Sequence, residues 1–517
     1  MDKNDFNTLQ LLLLMSGGIC LIISMFFHIK EREKVAVLLL VIAALFVNLF
    51  SATLDPFLNL WDERFHALVA KNLMNHPFRP TLYDDPVVDM AYDRWDRYNI
   101  WLHKQPLFLW QIALSFKIFG VSEFTLRIPS VILGAFLVLA GYRSGRLLVS
   151  KRAGFITGLL IMTCPYWMEL IAGRQEVDHN DVSFVTYVSL SIWALMEYHS
   201  SRRKGWIWLI GLFSGMAVLC KWLTGLLVYL GWMILILQEW KSGYRQWILL
   251  LQALLVTVIV ALPWQVFALI QFPEEARTAL GMNSRHFFES IDGHRGDFGY
   301  HFRQIGTIYG RLTPYLMVPA WVVLFFRSGN RKLCIAILIM VIAVYLFFSF
   351  ATTKMPSFTL ITGMLVFIVL AGLIDLCLDL LKKINMPVIL YQCFILAAFL
   401  VIIVWRFDLQ TIRDKHTLRK QDNIYTQWLT HNRQVFESLE LPPGTVLFNV
   451  KGRHYIEAMF HTGFPAYNFV PSEEQYRDMM RKGRKAAIFL PPGCALPEYM
   501  AADTNTLVIS DQLKGWD

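Results

Sequence analysis

Charge is scarce in this chain. Only 17% of its 517 residues are Asp, Glu, Lys or Arg, against 56% hydrophobic, and the mean hydropathy is +0.44. That composition excludes a soluble globular protein. Cysteine is nearly confined to apolar runs: Cys20, Cys164, Cys220, Cys334, Cys377 and Cys393 sit there as small hydrophobes. Cys494 alone falls in a polar stretch, so no disulfide framework exists within it. No P-loop, no G-x-G-x-x-G and no serine nucleophile elbow is present, which argues against ATP or dinucleotide chemistry. No internal repeat is visible, an argument against transporter folds built from paired halves. Met1–Gln10 has no basic n-region and the first apolar run lacks a small-residue cleavage site, so no cleavable signal peptide is expected.

Apolar runs are what the chain has instead. Each near 20 residues is long enough to cross a hydrocarbon core of roughly 30 Å as a helix. The expected spans are 8–28, 35–54, 127–148, 153–172, 182–198, 206–219, 223–238, 246–268, 314–327, 332–350, 357–377 and 387–406. The +9 net charge is spread over short loops and reads as topogenic rather than as a nucleic-acid surface. Lys30, Arg32 and Lys34, then Arg143, Arg146, Lys151 and Arg152, then Arg202, Arg203 and Lys204 fall on one side. Lys241, Arg245, Arg327, Arg331, Lys332, Lys382 and Lys383 fall there too, whereas the other side carries Arg174, Lys221 and Lys354 as single cations. The basic side is therefore expected to be cytoplasmic. Both termini and the loops 55–126, 173–181, 269–313 and 351–356 then share the outer face.

The expected fold is an α-helical polytopic membrane protein of about 12 transmembrane helices, with juxtamembrane helices in the first outer loop. Residues 1–406 form the membrane domain and 407–517 a small soluble α/β domain. In the first loop, Phe65, Leu68, Val69 and Leu73 recur at helical spacing and predict a helix lying along the interface. Pro106–Phe119 is a second, shorter apolar stretch. In the tail, Ser472 and Gln475 form a capping-box pattern, and 445–450, 486–490 and 506–509 read as strands.

Every unusual polar cluster lies on the outer face. Asp62 and Glu63 open the first-loop helix; an Asp there serves either as a cap or as a carboxylate that orients an acceptor or takes its proton. Lys104 is either a snorkelling interfacial lysine or a compact cation gripping phosphate. Asp178-His179-Asn180-Asp181 is a solvated cluster, a divalent-metal site or a pair of functional carboxylates. Lys354, in the turn Thr352–Ser357, runs against the inside-positive bias. Loop 269–313 adds Arg285, His286, His294, Arg295, His301 and Arg303, suited to anionic headgroups or sugars.

Trp61-Asp62-Glu63, Lys104-Gln105-Pro106, Phe119-Gly120, Glu123-Phe124 and Arg127-Ile128-Pro129-Ser130, in that order, resemble the GT-C superfamily. Within it they are similar to the lipid A aminoarabinose transferases and the bacterial protein mannosyltransferase-like enzymes. Gly173-Arg174 leading to Asp181 and the Lys354-Met355-Pro356 turn fit the same pattern. The chain departs from it at Phe65 and Gln105. The resemblance implies an inverting glycosyltransferase that moves a sugar from a polyprenyl-phosphate donor to lipid A, another envelope glycan or protein. It implies a catalytic role for Asp62, a second acid at Asp181 or Asp178, and donor-phosphate contacts by Lys104 and Lys354; the residues themselves add Glu63 as a catalytic candidate and Arg64 and Arg285 as candidate phosphate contacts. No cofactor is required, with a divalent cation at the Asp178–Asp181 cluster as the alternative, and nucleic acid is not expected as a partner. The implied location is the bacterial inner membrane, with active site and tail on the periplasmic side. The rival reading is a transporter or flippase of polyprenyl-linked sugars.

Overall fold

The computed structural model describes residues 6–59, 62–88, 95–175, 178–239, 243–291, 293–384, 386–417 and 423–515. Trp61 and Lys241, which carried sequence arguments, lie outside these. Helices α1 (Thr8–Ile29) and α2 (Glu33–Ala52) form an initial hairpin, and the first long loop contributes α3 (Asp62–Leu73) and α4 (Leu107–Phe119). The bundle continues with α5 (Glu123–Leu148), α6 (Lys151–Met162), α7 (Pro165–Ile171), α8 (Asp178–Ser201), α9 (Gly205–Lys221) and α10 (Leu227–Gln238). It is completed by α11 (Gly243–Gln271), α12 (Pro273–Phe288), α13 (Tyr300–Tyr309), α14 (Thr313–Arg327), α15 (Arg331–Phe350), α16 (Gly363–Lys382) and α17 (Val388–Arg406). After α18 (Leu409–Thr417) come α19 (Ile424–Ser438), β1 (Thr445–Phe448), α20 (His454–Thr462), α21 (Glu473–Arg481), β2 (Lys485–Phe489), α22 (Glu498–Ala501) and β3 (Thr506–Ile509).

Local sequence explains the boundaries. Asn7 and Gln10 cap α1 reciprocally, and Ser122 with Thr125 does the same for α5. Pro165 separates α6 from α7, which are bent by 51°. Tight helix crossings rest on small residues: a Cβ on Gly154 of α6 would sit 2.4 Å from the Tyr142 carbonyl oxygen on α5.

Among the described residues, eight helical stretches are long and apolar enough to cross a membrane, or ten if two bent pairs each count as one. That is fewer than the twelve expected. Ser, Thr and Asp make α8 too polar to qualify by composition, and Gly205–Gln238 is read as one stretch although it breaks at Trp222. The basic residues do gather at one end of the bundle: Arg143 pairs with Glu197 at 2.5 Å, Arg152 with Asp375 at 2.6 Å and Arg202 with Glu239 at 3.7 Å.

Residues 423–515 contain a parallel sheet of order β1-β2-β3, with Val446 opposite Ala486 and Ala487 opposite Leu507. Ser472 and Gln475 cap α21 as the spacing predicts. This unit packs onto the first long loop. Lys71 Nζ donates to the Phe460 carbonyl at 2.5 Å, and the Tyr83 and Tyr467 rings stack at 5.0 Å. The apolar face of α3 is therefore not laid on a lipid surface as its spacing suggested. Phe65, Leu68, Val69 and Leu73 are all buried, with α4 on one side and α20 on the other.

Candidate active site

The first turn of α3 places successive side chains in different surroundings, because consecutive helical residues point about 100° apart. Asp62 reaches Lys104, with 3.2 Å between Oδ2 and Nζ, and both side chains keep limited access to solvent. Burial pushes the Asp62 pKa up, but the charge of Lys104 outweighs it and holds the carboxyl below its ordinary range. Asp62 is thus ionised at neutral pH.

Glu63 faces the opposite way and is buried. Its Oε1 accepts from Arg127 Nε at 2.9 Å and lies 3.1 Å from His179 Nε2; its Oε2 accepts from the Asn59 backbone N–H at 2.6 Å. Burial raises its pKa, and Arg127 and His179 more than reverse this, to about 2. The backbone at Gly173 approaches the same carboxylate so closely that a Cβ there would lie 2.1 Å from Oε1. Only a residue without a side chain fits. The E-F-x-x-R-I-P-S segment acquires a physical meaning here: Arg127 reaches Glu63, Ser130 Oγ sits 2.8 Å from His179 Nδ1, and Glu123 pairs with Arg433 of the C-terminal unit.

A cavity of about 460 Å³ opens beside Lys104. His103, Lys104 and Gln105 line it from the first loop, Asn180 from α8, Lys221 and Trp222 from the α9 terminus, and His286 from α12. Phe287, Phe288, Phe347, Phe348 and Phe358 supply apolar walls. Lys221 Nζ donates to Asp181 Oδ1 and lies 5.2 Å from the Phe358 ring centre. Burial, followed by the neighbouring Lys104 charge, pushes the His103 pKa well below its ordinary value, leaving a neutral imidazole stacked on Trp95 at 4.7 Å. Among the described residues, Asn180 Oδ1 and Asp181 Oδ2 are buried acceptors without a hydrogen-bond partner. Orphaned acceptors beside a cavity suit a ligand's hydroxyl or amine.

The second acidic cluster does not converge on one point. Asp178 Oδ1 meets His66 Nδ1 at 2.9 Å, whereas Asp181 turns to Lys221. Among the described residues no three His, Cys, Asp or Glu side chains come together as metal ligands. Three expected phosphate contacts also lie elsewhere. Arg64 is buried against Glu457 of α20, Arg285 is exposed on α12 and pairs with Glu289 at 2.7 Å, and Lys354 points into the α15 terminus. The Lys354 ammonium caps that helix, donating to the carbonyls of Phe348, Ser349 and Ala351 at 2.8, 2.6 and 2.5 Å. Lys221 and His103 line the cavity without having been candidates by sequence, and Asn180 was named only as part of the Asp178–Asp181 cluster. The signal for Lys221 was its rarity as a lone outer cation at the end of an apolar run.

Residues 103–267 match the family described as dolichyl-phosphate-mannose-protein mannosyltransferase. An uncharacterized protein of Aquifex aeolicus is 26% identical over 202 residues, 39% of this chain and 36% of that one. An undecaprenyl phosphate-alpha-4-amino-4-deoxy-L-arabinose arabinosyl transferase of Pseudomonas aeruginosa is 35% identical over 169 residues, 30% of this chain and 28% of its own. The chain thus spans about a third of the length of these curated relatives. Among solved structures, ArnT from Cupriavidus metallidurans bound to undecaprenyl phosphate superposes with a TM-score of 0.62 at 16% identity, over 86% of this chain and 88% of that one. The oligosaccharyltransferase of Archaeoglobus fulgidus follows at 0.54 and 13%, over 83% and 64%. The chain is a multi-pass membrane protein that shares the fold of these two solved structures.

Proposed function

We propose that this protein transfers a sugar from a polyprenyl-phosphate donor to an envelope acceptor, with inversion, at the outer face of the inner membrane. The observation that carries this reading is the Asp62–Lys104 pair at the rim of a cavity with aromatic walls and two lysines. The cavity suits a lipid phosphate: Phe287, Phe347 and Phe348 flank the prenyl chain, and Lys104 and Lys221 meet the phosphate. The similarity to the undecaprenyl-phosphate aminoarabinose transferase supports the donor class. The fold has twelve crossings with residues 407–517 outside the bilayer, a count supported by Arg202 and Glu239 meeting at one end while Lys221, between them in sequence, lines the cavity with Lys104 at the other.

In the reaction, an acceptor oxygen attacks the anomeric carbon from the face opposite the phosphate. The bond from that carbon to the phosphate oxygen breaks, and the electron pair leaves with the polyprenyl phosphate. Lys104 and Lys221 stabilise the charge developing there in a water-poor site. A donor phosphate competes with Asp62 for Lys104. Its arrival releases the Asp62 carboxylate toward the acceptor and relieves the depression of its pKa. A hydroxyl acceptor then yields its proton to Asp62; a phosphate acceptor has no proton to lose, and Asp62 only orients it. Glu63, Arg127 and His179 hold the α3 terminus in place. Asp178 and Asp181 act through His66 and Lys221.

The test compares Asp62→Asn with wild type in membranes given radiolabelled polyprenyl-phosphate sugars and envelope acceptors. Loss of transfer at normal expression supports the reading, and the labelled product names the acceptor. Transfer by both proteins alike removes Asp62 from catalysis. No transfer even by wild type, with protein-dependent movement of the lipid-linked sugar across the bilayer, establishes a flippase instead.

A further inference from the structure

A second cavity, of about 640 Å³, lies at the opposite, arginine-rich end of the bundle. It is bounded by the ends of α1 and α16 and by the starts of α2, α6 and α17. Most of its charges are already spent on one another. Arg152 is held by Asp375 at 2.6 Å, by Asp379 and by the Tyr391 hydroxyl; Glu33 is held by Arg146 and, at 3.4 Å, by Lys151. Two lining residues of opposite sign are not. Among the described residues Glu31 and Lys382 enter no ion pair, and the Lys151 side chain, though paired with Glu33, is 58% exposed.

The remaining wall is greasy. Ile29, Met386, Val388 and Ile395 line the cavity, and α17 is the least enclosed of the candidate spans, with Val388 and Ile389 exposed by 71% and 75%. In a membrane protein these surfaces face acyl chains. The cavity therefore joins a polar end carrying one free charge of each sign to an apolar side open to lipid. A doubly anionic headgroup would meet Glu31 and Asp379 as well as the lysines, whereas a zwitterion leaves neither sign unmatched.

We propose that this cavity binds a phospholipid of the adjoining leaflet with a zwitterionic, primary-amine headgroup. Lys382 and Lys151 hold the phosphate, Glu31 takes the ammonium, and the acyl chains run along α17. The site is separate from the transfer reaction, and no residue in it belongs to the catalytic proposal. A free phosphoethanolamine shares the headgroup chemistry but makes no use of the α17 wall.

The experiment is native mass spectrometry of the full-length protein in detergent, given phosphatidylethanolamine and phosphatidylglycerol in equal amounts. Wild type is expected to retain phosphatidylethanolamine preferentially. Glu31→Gln with Lys382→Ala is expected to lower that retention about fivefold or more, at an unchanged melting temperature. A second variant, Lys382→Glu alone, keeps the test decisive if the double variant expresses poorly, and is expected to abolish the preference. Equal retention of both lipids by wild type overturns the proposal, as does retention indifferent to both variants. Displacement of the lipid by millimolar glycerophosphoethanolamine overturns the lipid assignment in favour of the free headgroup.

Discussion

Arg64 on α3 and Glu457 on α20 form an ion pair of 3.1 Å with both side chains buried, joining the helix that carries Asp62 to the C-terminal unit. His454 Nδ1 lies 3.1 Å from the same Glu457 carboxylate. Removing one partner of a buried pair strands the other charge, a loss of about 3–5 kcal/mol. Glu457→Ala is therefore expected to lower the melting temperature of the detergent-solubilised protein. Arg64→Met with Glu457→Met should recover much of the loss. Additive losses in that double variant would show that the pair is not coupled.

Adjacent acids should separate in their effects. Asp62→Asn is expected to fold normally and lose transfer, since Asp62 has one polar partner among the described residues and limited exposure. Glu63→Gln leaves Arg127 buried without its carboxylate and should reduce folded yield. Gly173→Ala should do the same, through its clash with the Glu63 carboxylate and a backbone φ of +71° that only glycine adopts easily. Size-exclusion profiles beside transfer assays distinguish the two patterns.

Lys221→Met is expected to slow transfer by roughly 10²–10³-fold, the usual effect of removing a preorganised donor to developing charge, with normal expression. A loss of folded protein in place of a loss of rate would make Lys221 merely the partner of Asp181.

Lys354→Met should act on stability and leave the KM for the donor nearly unchanged. Its ammonium is enclosed by three carbonyls at the α15 terminus, and burial pulls its pKa down. A large rise in donor KM with an unaltered melting temperature would return Lys354 to the phosphate site.

Acid should loosen the assembly of α3 with its neighbours. Burial raises the pKa values of Glu63 and Glu457, but Arg127 and Arg64 respectively reverse this, so both fall to about 2 from an ordinary 4.5. The folded state thus favours the ionised form. This stabilisation is complete above about pH 4.5 and is lost as the pH falls toward 2. Intrinsic-fluorescence melting temperatures should decline across that window, and Glu457→Gln should decline less steeply from a lower starting value.

The sequence by itself determined the membrane class, the gathering of the basic short loops at one end of the bundle and the polar clustering in the first long loop. Each rests on composition or local order: long apolar runs, clustered Lys and Arg, and polar residues where a bilayer edge makes them costly. It also showed the α3 and α4 helices and the three strands of the tail, because periodicity and capping act within a few residues. Asp62 and Lys104 were legible as chemistry-bearing types at a rare place. Their contact was not, since forty residues of loop lie between them.

Tertiary structure decided which charges face the cavity. Asp62, Glu63 and Arg64 are consecutive, yet one meets Lys104, one Arg127 and one Glu457. Helical geometry spreads neighbouring side chains around the axis, and only packing against α5, α8 and α20 fixes what each one meets. Lys354 and Arg285 matched the sequence pattern of phosphate ligands but found partners close by in the chain. Lys221 became part of the site because the break at Trp222, with φ of +70°, ends α9 beside Asp181 and the cavity.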